Sequence, residues 1–556
     1  MAIGGTTPPP GAESPLSTEP ANNGQQPLRD AEINDSPQTL PKPVGRGIGD
    51  RPECFKNTLQ EVLFVFMATI AMATNTFLTG STVVITAAVG ADLDMSQSQI
   101  SWIAAAATLT AGAFQLTLGQ LSDLIGRKII FLTGMGAFSA GSLIMAFSQN
   151  PFWFNILCGI LGLASAMVVP PAIGILGAAY SVPSRRKNWA FACFSAGNPL
   201  GFALGSIVSG VATRISDWRA GFIFIAILWA LLGLASCWIV PDVEAYDKSS
   251  SFLARVKAAG KAFDVLGTIL TVLGVGLLTA SLTLGPADGW RTGHVIAMMI
   301  LGVLLLVGFI AWESYWPNPL MPLHIWKDKT FSILLLIANL GMMSFMSSNF
   351  WLSLLFQEVR HMDALDVAVH LLPQVIAGVI WNIVVASLLH RVYNSILVAI
   401  GSLAYVAGSV LLSQQEADSF YWAFAFPSLV VTVIGADFHF NVANMYVMTS
   451  LPSHQQSLAG GIFNMLVRLS TTIGIGISTA VYSSIQATQG AQGDEFTAYR
   501  GAFYVSVGIA SLACLFLPFL RLGTQGNSPK SEQVPDRTAE VAQTTEPALP
   551  RDGKQA

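Results

Sequence analysis

In a chain dominated by apolar runs, the residues able to do chemistry are few. Asp437, His439, Asn441 and Asn444 fall within one apolar run, and Asn464 and Arg468 fall within the next. A carboxyl, an imidazole or a guanidinium placed among apolar helices can carry a proton, hold an opposite charge or hold a charged ligand. Asp437 lies 13 residues before Ser450, and Arg468 lies 11 residues after Ser457. At 1.5 Å per residue both stand ~17–20 Å from the turn that joins their helices. Equal depth on sequential antiparallel helices predicts an Asp437–Arg468 partnership. Spacings of four and three put Asp437, Asn441 and Asn444 on one face, with His439 pointing nearly the opposite way. Three roles stay open: proton coupling, a static clamp with His439 hydrogen-bonded in the bundle, and direct contact with a substrate. A proton carried by Asp437 requires the pair to break. His439, with an ordinary pKa of about 6.5, is the other carrier.

The elements that must position these groups follow from composition. The 556 residues are 52% hydrophobic and 11% charged, with a mean hydropathy of +0.57. A soluble chain carries about 25% charged residues. Many apolar runs of about 20 residues match a bilayer core of ~30 Å. The chain therefore reads as a polytopic α-helical membrane protein with fourteen spans, the first starting near residue 60 and acting as a signal anchor. With both termini cytoplasmic, inner loops hold 12 Lys/Arg and outer loops 5, as the positive-inside rule requires. Trp102, Trp153, Trp189, Trp218, Trp290 and Trp316 sit near span ends, as an interfacial belt does.

Residues 1–57 and 523–556 are rich in polar residues, Gly and Pro and read as disordered cytoplasmic tails. Between them the expected organisation is a six-helix half over 58–240, a cytoplasmic linker over 241–262, an inserted helix pair over 263–316 and a second six-helix half over 317–522. The linker's mixed charge suits a short amphipathic helix on the inner surface.

Gly119 to Lys128 reads GQLSDLIGRK. Two glycines, an acid and two bases in a tight turn between apolar runs make a positive cytoplasmic corner. Gly119 permits close helix approach, Gly126 supplies a left-handed turn, and Asp123 suits the positive N-terminus of another helix. The string resembles the loop signature G-x-L-a-D-r-x-G-r-k of the major facilitator superfamily, matching at Gly119, Leu121, Ser122, Asp123, Gly126, Arg127 and Lys128. The resemblance covers roughly residues 58–522. It implies two six-helix halves around a central cavity, alternating access between them, and an inner gate closed when Asp123 docks against the helix start at Ser457–Asn464.

The run from Gly197 to Gly205 is similar to the antiporter signature of this family's exporters. Gly197, Gly201 and Gly205 are four apart and form one smooth face, and Pro199 removes a backbone hydrogen bond. The plain alternative is a small-residue packing seam. Two family charges are absent: glycine stands at the first-span acid position, Gly80, and cysteine at the fourth-span arginine position, Cys158. Asn75, Gln115, Asn349, Trp381, Asn382, Asn441, Asn444 and Asn464 are candidates for the substrate cavity, although a polar residue in a span more often makes a helix–helix hydrogen bond than a ligand contact.

Other classes are disfavoured. The five cysteines form no C-x-x-C pair, which argues against a zinc site or disulfide framework. No P-loop, catalytic triad or metal constellation stands out, and no basic patch suggests nucleic acid. The expectation is therefore a non-enzymatic transporter without cofactor or metal, a monomer whose partners are the bilayer, a small molecule and protons. The resemblance to fungal fourteen-span drug:proton antiporters implies efflux of a small, mostly apolar compound across the plasma membrane, or a vacuolar or other internal membrane. A facilitator or importer of a small polar solute is the alternative, and a transport-inactive membrane sensor the third.

Overall fold

The computed structural model describes residues 51–95, 97–180, 184–243, 257, 259–260, 262–362, 364–416, 419–489 and 495–524. Most of both expected tails, and most of the 241–262 linker with its amphipathic helix, lie outside the described residues.

Helices account for the architecture, and no strand occurs among the described residues. In chain order they are α1 (Thr58–Asp92), α2 (Gln97–Ile125), α3 (Arg127–Met145), α4 (Pro151–Ala166), α5 (Val169–Ala179), α6 (Arg185–Ile215), α7 (Trp218–Ile239), α8 (Val265–Asp288) and α9 (Gly293–Glu313). Then follow α10 (Lys329–Leu354), α11 (Ala364–Leu388), α12 (Asn394–Ser413), α13 (Ala425–Ser450), α14 (Gln456–Gln489) and α15 (Glu495–Leu515). Thirteen helical segments among the described residues are long and apolar enough to cross a bilayer, with α4 and α5 counted as one. The 29-residue α2 equals them in length.

The span expected over 153–179 is one apolar segment, Pro151–Ala179, with its helix interrupted at Met167–Val168, where Pro170 and Pro171 cannot donate to the preceding turn. One expectation needs correction: the first tail ends before residue 57. Phe55 is buried against the bundle, its ring 5.5 Å from Phe64 and 6.3 Å from Tyr180.

Helix ends are capped by side chains. Asn57 accepts from Gln60 N, Asp217 from Arg219 N and Ala220 N, and Asp264 from Gly267 N at 2.7 Å. These caps satisfy donors that apolar surroundings would leave orphaned. Side by side, α1 lies on α6, α2 on α4 and α14, α3 on α7, α8 on α9, and α12 on α13. Lipid is as apolar as leucine, so close contact and interhelical hydrogen bonds must hold these pairs together.

The α1–α6 seam shows how close that contact is. A Cβ at Gly201 would sit 2.5 Å from the Ala73 carbonyl oxygen, and one at Gly197 3.0 Å from Met72 Cβ. One at Gly205 would collide with the Phe77 carbonyl. From the other side, Gly80 lies against the Phe202 carbonyl, and its own carbonyl accepts from Ser206 Oγ at 3.2 Å. Ser81 Oγ returns the bond to the Gly205 carbonyl at 3.2 Å. The three glycines of α6 thus serve packing against α1. Pro199 lies inside α6 without ending it and faces α11, where a Cβ at Gly378 would be 3.1 Å from its ring.

Candidate functional site

The turn from Gly119 to Lys128 builds the first part of the site. Gly126 adopts φ 140°, a conformation open to glycine, and reverses the chain from α2 into α3. The reversal throws three charges in three directions. Asp123 Oδ2 accepts from Leu458 N at 2.8 Å and Oδ1 from Ser457 N at 3.3 Å, so the carboxylate caps the start of α14. Both the partial positive charge of a helix start and its free N–H groups favour a carboxylate there. Arg127 Nε binds Asp123 Oδ1 at 2.8 Å, and its guanidinium also donates to the Gly174 carbonyl at 3.2 Å. Lys128 Nζ donates to the carbonyls of Cys237 and Val240 at 2.9 and 2.7 Å, closing the C-terminal end of α7.

Small residues let these partners reach each other. A Cβ on Gly119 would sit 2.7 Å from the Ser457 carbonyl oxygen, and one on Gly461 2.7 Å from that of Gln115. Gly174 and Gly177 of α5 leave room for Ser457 and Gln456. That receiving surface was missed in the sequence, although the Gly174/Gly177 spacing on an otherwise apolar helix was a signal for it. Near the same helix ends, His390 in the α11–α12 turn is held below its ordinary value by desolvation first, then by Arg185 and Arg391. Arg185 opens α6, so basic groups from before and after the α8–α9 pair approach one another there.

Deeper in the bundle two polar clusters form. In the first, Arg468 of α14 donates to Asn75 Oδ1 of α1, while Asn75 Nδ2 donates to Ser165 Oγ of α4 at 2.9 Å. Ser165 in turn donates to the Gly162 carbonyl at 2.7 Å. On α2, a Cβ at Gly112 would lie 3.3 Å from Arg468 Cβ. Arg468 is half-buried, and Gln115, one turn along α2, is buried. In the second cluster, Asn441 Nδ2 donates to Asn382 Oδ1 at 2.9 Å, and Ser195 Oγ of α6 donates to Asn441 Oδ1 at 3.0 Å. Asn382 Nδ2 also donates to the Gly378 carbonyl at 2.9 Å. Ser165 and Ser195 are hydrogen-bond partners that the sequence did not single out, because a serine in a helix bonds its own turn as readily as a neighbour.

The expected Asp437–Arg468 pair does not form. Among the described residues Arg468 makes no ion pair, and Asp437 Oδ2 has no hydrogen-bond partner. Equal residue counts do not bring the two together: α14 turns Arg468 toward Asn75 of α1, whereas α13 lies against α11 one turn from Asp437, where Asn441 donates to Asn382. His439 does point away from both. It is fully buried, with Nε2 3.0 Å from the Val398 carbonyl and 3.1 Å from Ser402 Oγ. A carbonyl only accepts, so Nε2 carries a hydrogen, while Nδ1, near Gly341, has no hydrogen-bond partner among the described residues.

The remaining cavity candidates divide. Asn349 donates to Phe345 O and Asn464 to Gly460 O, each within its own helix at 2.9 Å. Trp381 is half-buried with its ring 6.1 Å from Phe438. Asn444 is buried, and neither side-chain polar atom finds a partner among the described residues. The two absent family charges have physical reasons. Gly80 is pressed on the α6 backbone, and Cys158 is fully buried in the apolar core, so neither place holds a longer charged side chain.

With this geometry described, comparison with known proteins is informative. A family model described as "Major Facilitator Superfamily" matches residues 65–475. The chain is 29% identical over 416 residues to the "Low affinity ammonium transporter" of Saccharomyces cerevisiae, covering 74% of this chain and 79% of that protein. It is 26% identical over 437 residues to "Efflux pump terJ" of Aspergillus terreus, covering 77% and 81%. Among solved structures, the human organic anion transporter MFSD10 (TETRAN) is similar with a TM-score of 0.55, 14% identity, and coverage of 82% of this chain and 98% of that one. At that identity the likeness concerns the fold alone.

Proposed function

Because the chain belongs to the Major Facilitator Superfamily, and is thus a multi-pass membrane transporter, we propose that it exports a small, mostly apolar organic compound by alternating access, driven by proton antiport. One observation carries the alternating-access part: the Asp123 carboxylate on the amides of Ser457 and Leu458. This contact joins a turn before the inserted pair α8–α9 to a helix after it. It is electrostatic, one carboxylate on two backbone amides, and sits at the end of the close packing of α2 on α14. The reading assigns α1–α7 and α10–α15 to the two moving halves, with fourteen spans and both termini cytoplasmic. The contact then closes the cytoplasmic end, with the Arg468–Asn75 and Asn441–Ser195 bonds meeting at the midplane.

Export is supported by the similarity to an efflux pump. The proton assignment falls on Asp437, a buried carboxyl with one oxygen free of hydrogen-bond partners among the described residues. Ionisable groups at such depth in transporters mark proton relays. His439, tied to the Val398 carbonyl in a close-packed corner, serves packing instead. The plasma membrane is the proposed location.

The ammonium transporter relative favours a second reading, passage of a small polar solute. Vesicle flux with and without a collapsed proton gradient separates the two. Gradient-dependent export of an apolar compound supports antiport, and gradient-indifferent counterflow of a small polar solute supports the facilitator.

A further inference from the structure

We propose that the exported compound is acidic, and that Arg468 is the group that recognises its carboxylate. This rests on the transport reading above and names the substrate class of that same cavity. The guanidinium stands 11 residues into α14 from Ser457, about 17 Å from the helix start. It is half-buried, with its head turned from α14 to Asn75 of α1. Its hydrogen-bond partner is a neutral one, the side-chain carbonyl of Asn75. Asn75 is itself fixed in that orientation, because its amide nitrogen is committed to Ser165 Oγ at 2.9 Å.

No carboxylate lies within 4.0 Å of Arg468 among the described residues. The sequence candidate, Asp437, makes no ion pair among the described residues. Gly80 on α1 is pressed on the Phe202 carbonyl and has no room for an acidic side chain. A guanidinium has five donors in a planar fork, and one carbonyl leaves most of them unused. A cation at this depth is costly without an opposite charge, and the fork matches a carboxylate with two parallel bonds. Gly112 sets the aim: its bare backbone lies against the Arg468 stem and directs the head past α2 toward α1.

The test uses the full chain purified in detergent and three isosteric probes: 1-naphthoate, 1-naphthamide and 1-naphthylmethylammonium, with benzoate and octanoate as further carboxylates. Wild type should bind naphthoate at least about tenfold more tightly than naphthamide, the ratio expected of a charge-assisted pair. R468Q should bring naphthoate down to the naphthamide level while naphthamide binding stays unchanged. R468K, which keeps the charge but loses the fork, should fall between them and shows that the site still folds. Equal binding of the amide or the ammonium by wild type, an undiminished naphthoate preference in R468Q, or no binding of any of the three carboxylates overturns the proposal. Direction is read separately, by flux of naphthoate in oriented proteoliposomes. Uptake in place of export would overturn the export reading and leave the carboxylate site standing, whereas export that prefers the ammonium probe would do the reverse.

Discussion

Removing the Asp123 carboxylate should open the end of the bundle that it closes. In Asp123→Ala the N–H groups of Ser457 and Leu458 lose their acceptor at 3.3 and 2.8 Å, and Arg127 loses its ion pair at 2.8 Å while keeping the Gly174 carbonyl. A donor left without a partner away from water costs ~1–3 kcal/mol. Taking the low end for two donors gives ~2 kcal/mol, or roughly a thirtyfold shift of the closed–open equilibrium. Asp123→Asn should have a smaller effect, since asparagine caps a helix about as well as aspartate and only the charge is lost. Arg185 and His454 are exposed on opposite sides of the closure, so spin labels on cysteines at these two positions report the gap directly. The wild type should give mainly the short distance, D123A a dominant longer one, and D123N a mixture. A D123A distribution identical to wild type would refute the reasoning.

Further expectations follow from the same contacts. Restoring the family acid with Gly80→Asp should prevent folding, since its Cβ would press on the Phe202 carbonyl; size-exclusion chromatography should show aggregate, and a sharp wild-type peak would contradict the seam. Asn441→Ala removes the partner of Ser195 and Asn382 and should lower stability by about 1–3 kcal/mol, read as a reduced denaturation midpoint; no change would show that those bonds carry nothing. Asp437→Asn should abolish proton-driven flux while leaving equilibrium binding of substrate intact, and unchanged gradient dependence would remove Asp437 from the coupling.

What the sequence made legible was local. The Asp123 contact with the start of α14 could be read, because a helix start attracts a carboxylate whatever the rest of the fold does, whereas the partners of Arg127 and Lys128 could not. The Gly197/Gly201/Gly205 face was readable as a smooth surface but not as to what it meets, and α1 rather than a substrate occupies it. The Asp437–Arg468 pair failed for a geometric reason. Sequence counts give depth along a helix, whereas partnership also needs the rotation about its axis, which packing of the whole bundle sets. The break between α4 and α5 was written in Pro170–Pro171, and the early end of the first tail in Phe55, one aromatic among polar neighbours. The neutral surroundings of Arg468 could not be read at all, since they depend on Asn75 from a helix nearly 400 residues earlier.

The central claim is a cavity open to one side at a time, and Thr79 offers the most direct test. It is half-buried on α1, one turn beyond Asn75, with its hydroxyl bonded to the Asn75 carbonyl at 3.1 Å. In a chain stripped of its five native cysteines, Thr79→Cys would be challenged with a membrane-impermeant thiol reagent from each face. The account predicts labelling from the outer face when Asp123 is intact, and labelling from the cytoplasmic face once Asp123→Ala is added. Labelling from the same face in both backgrounds, or from neither, would contradict it.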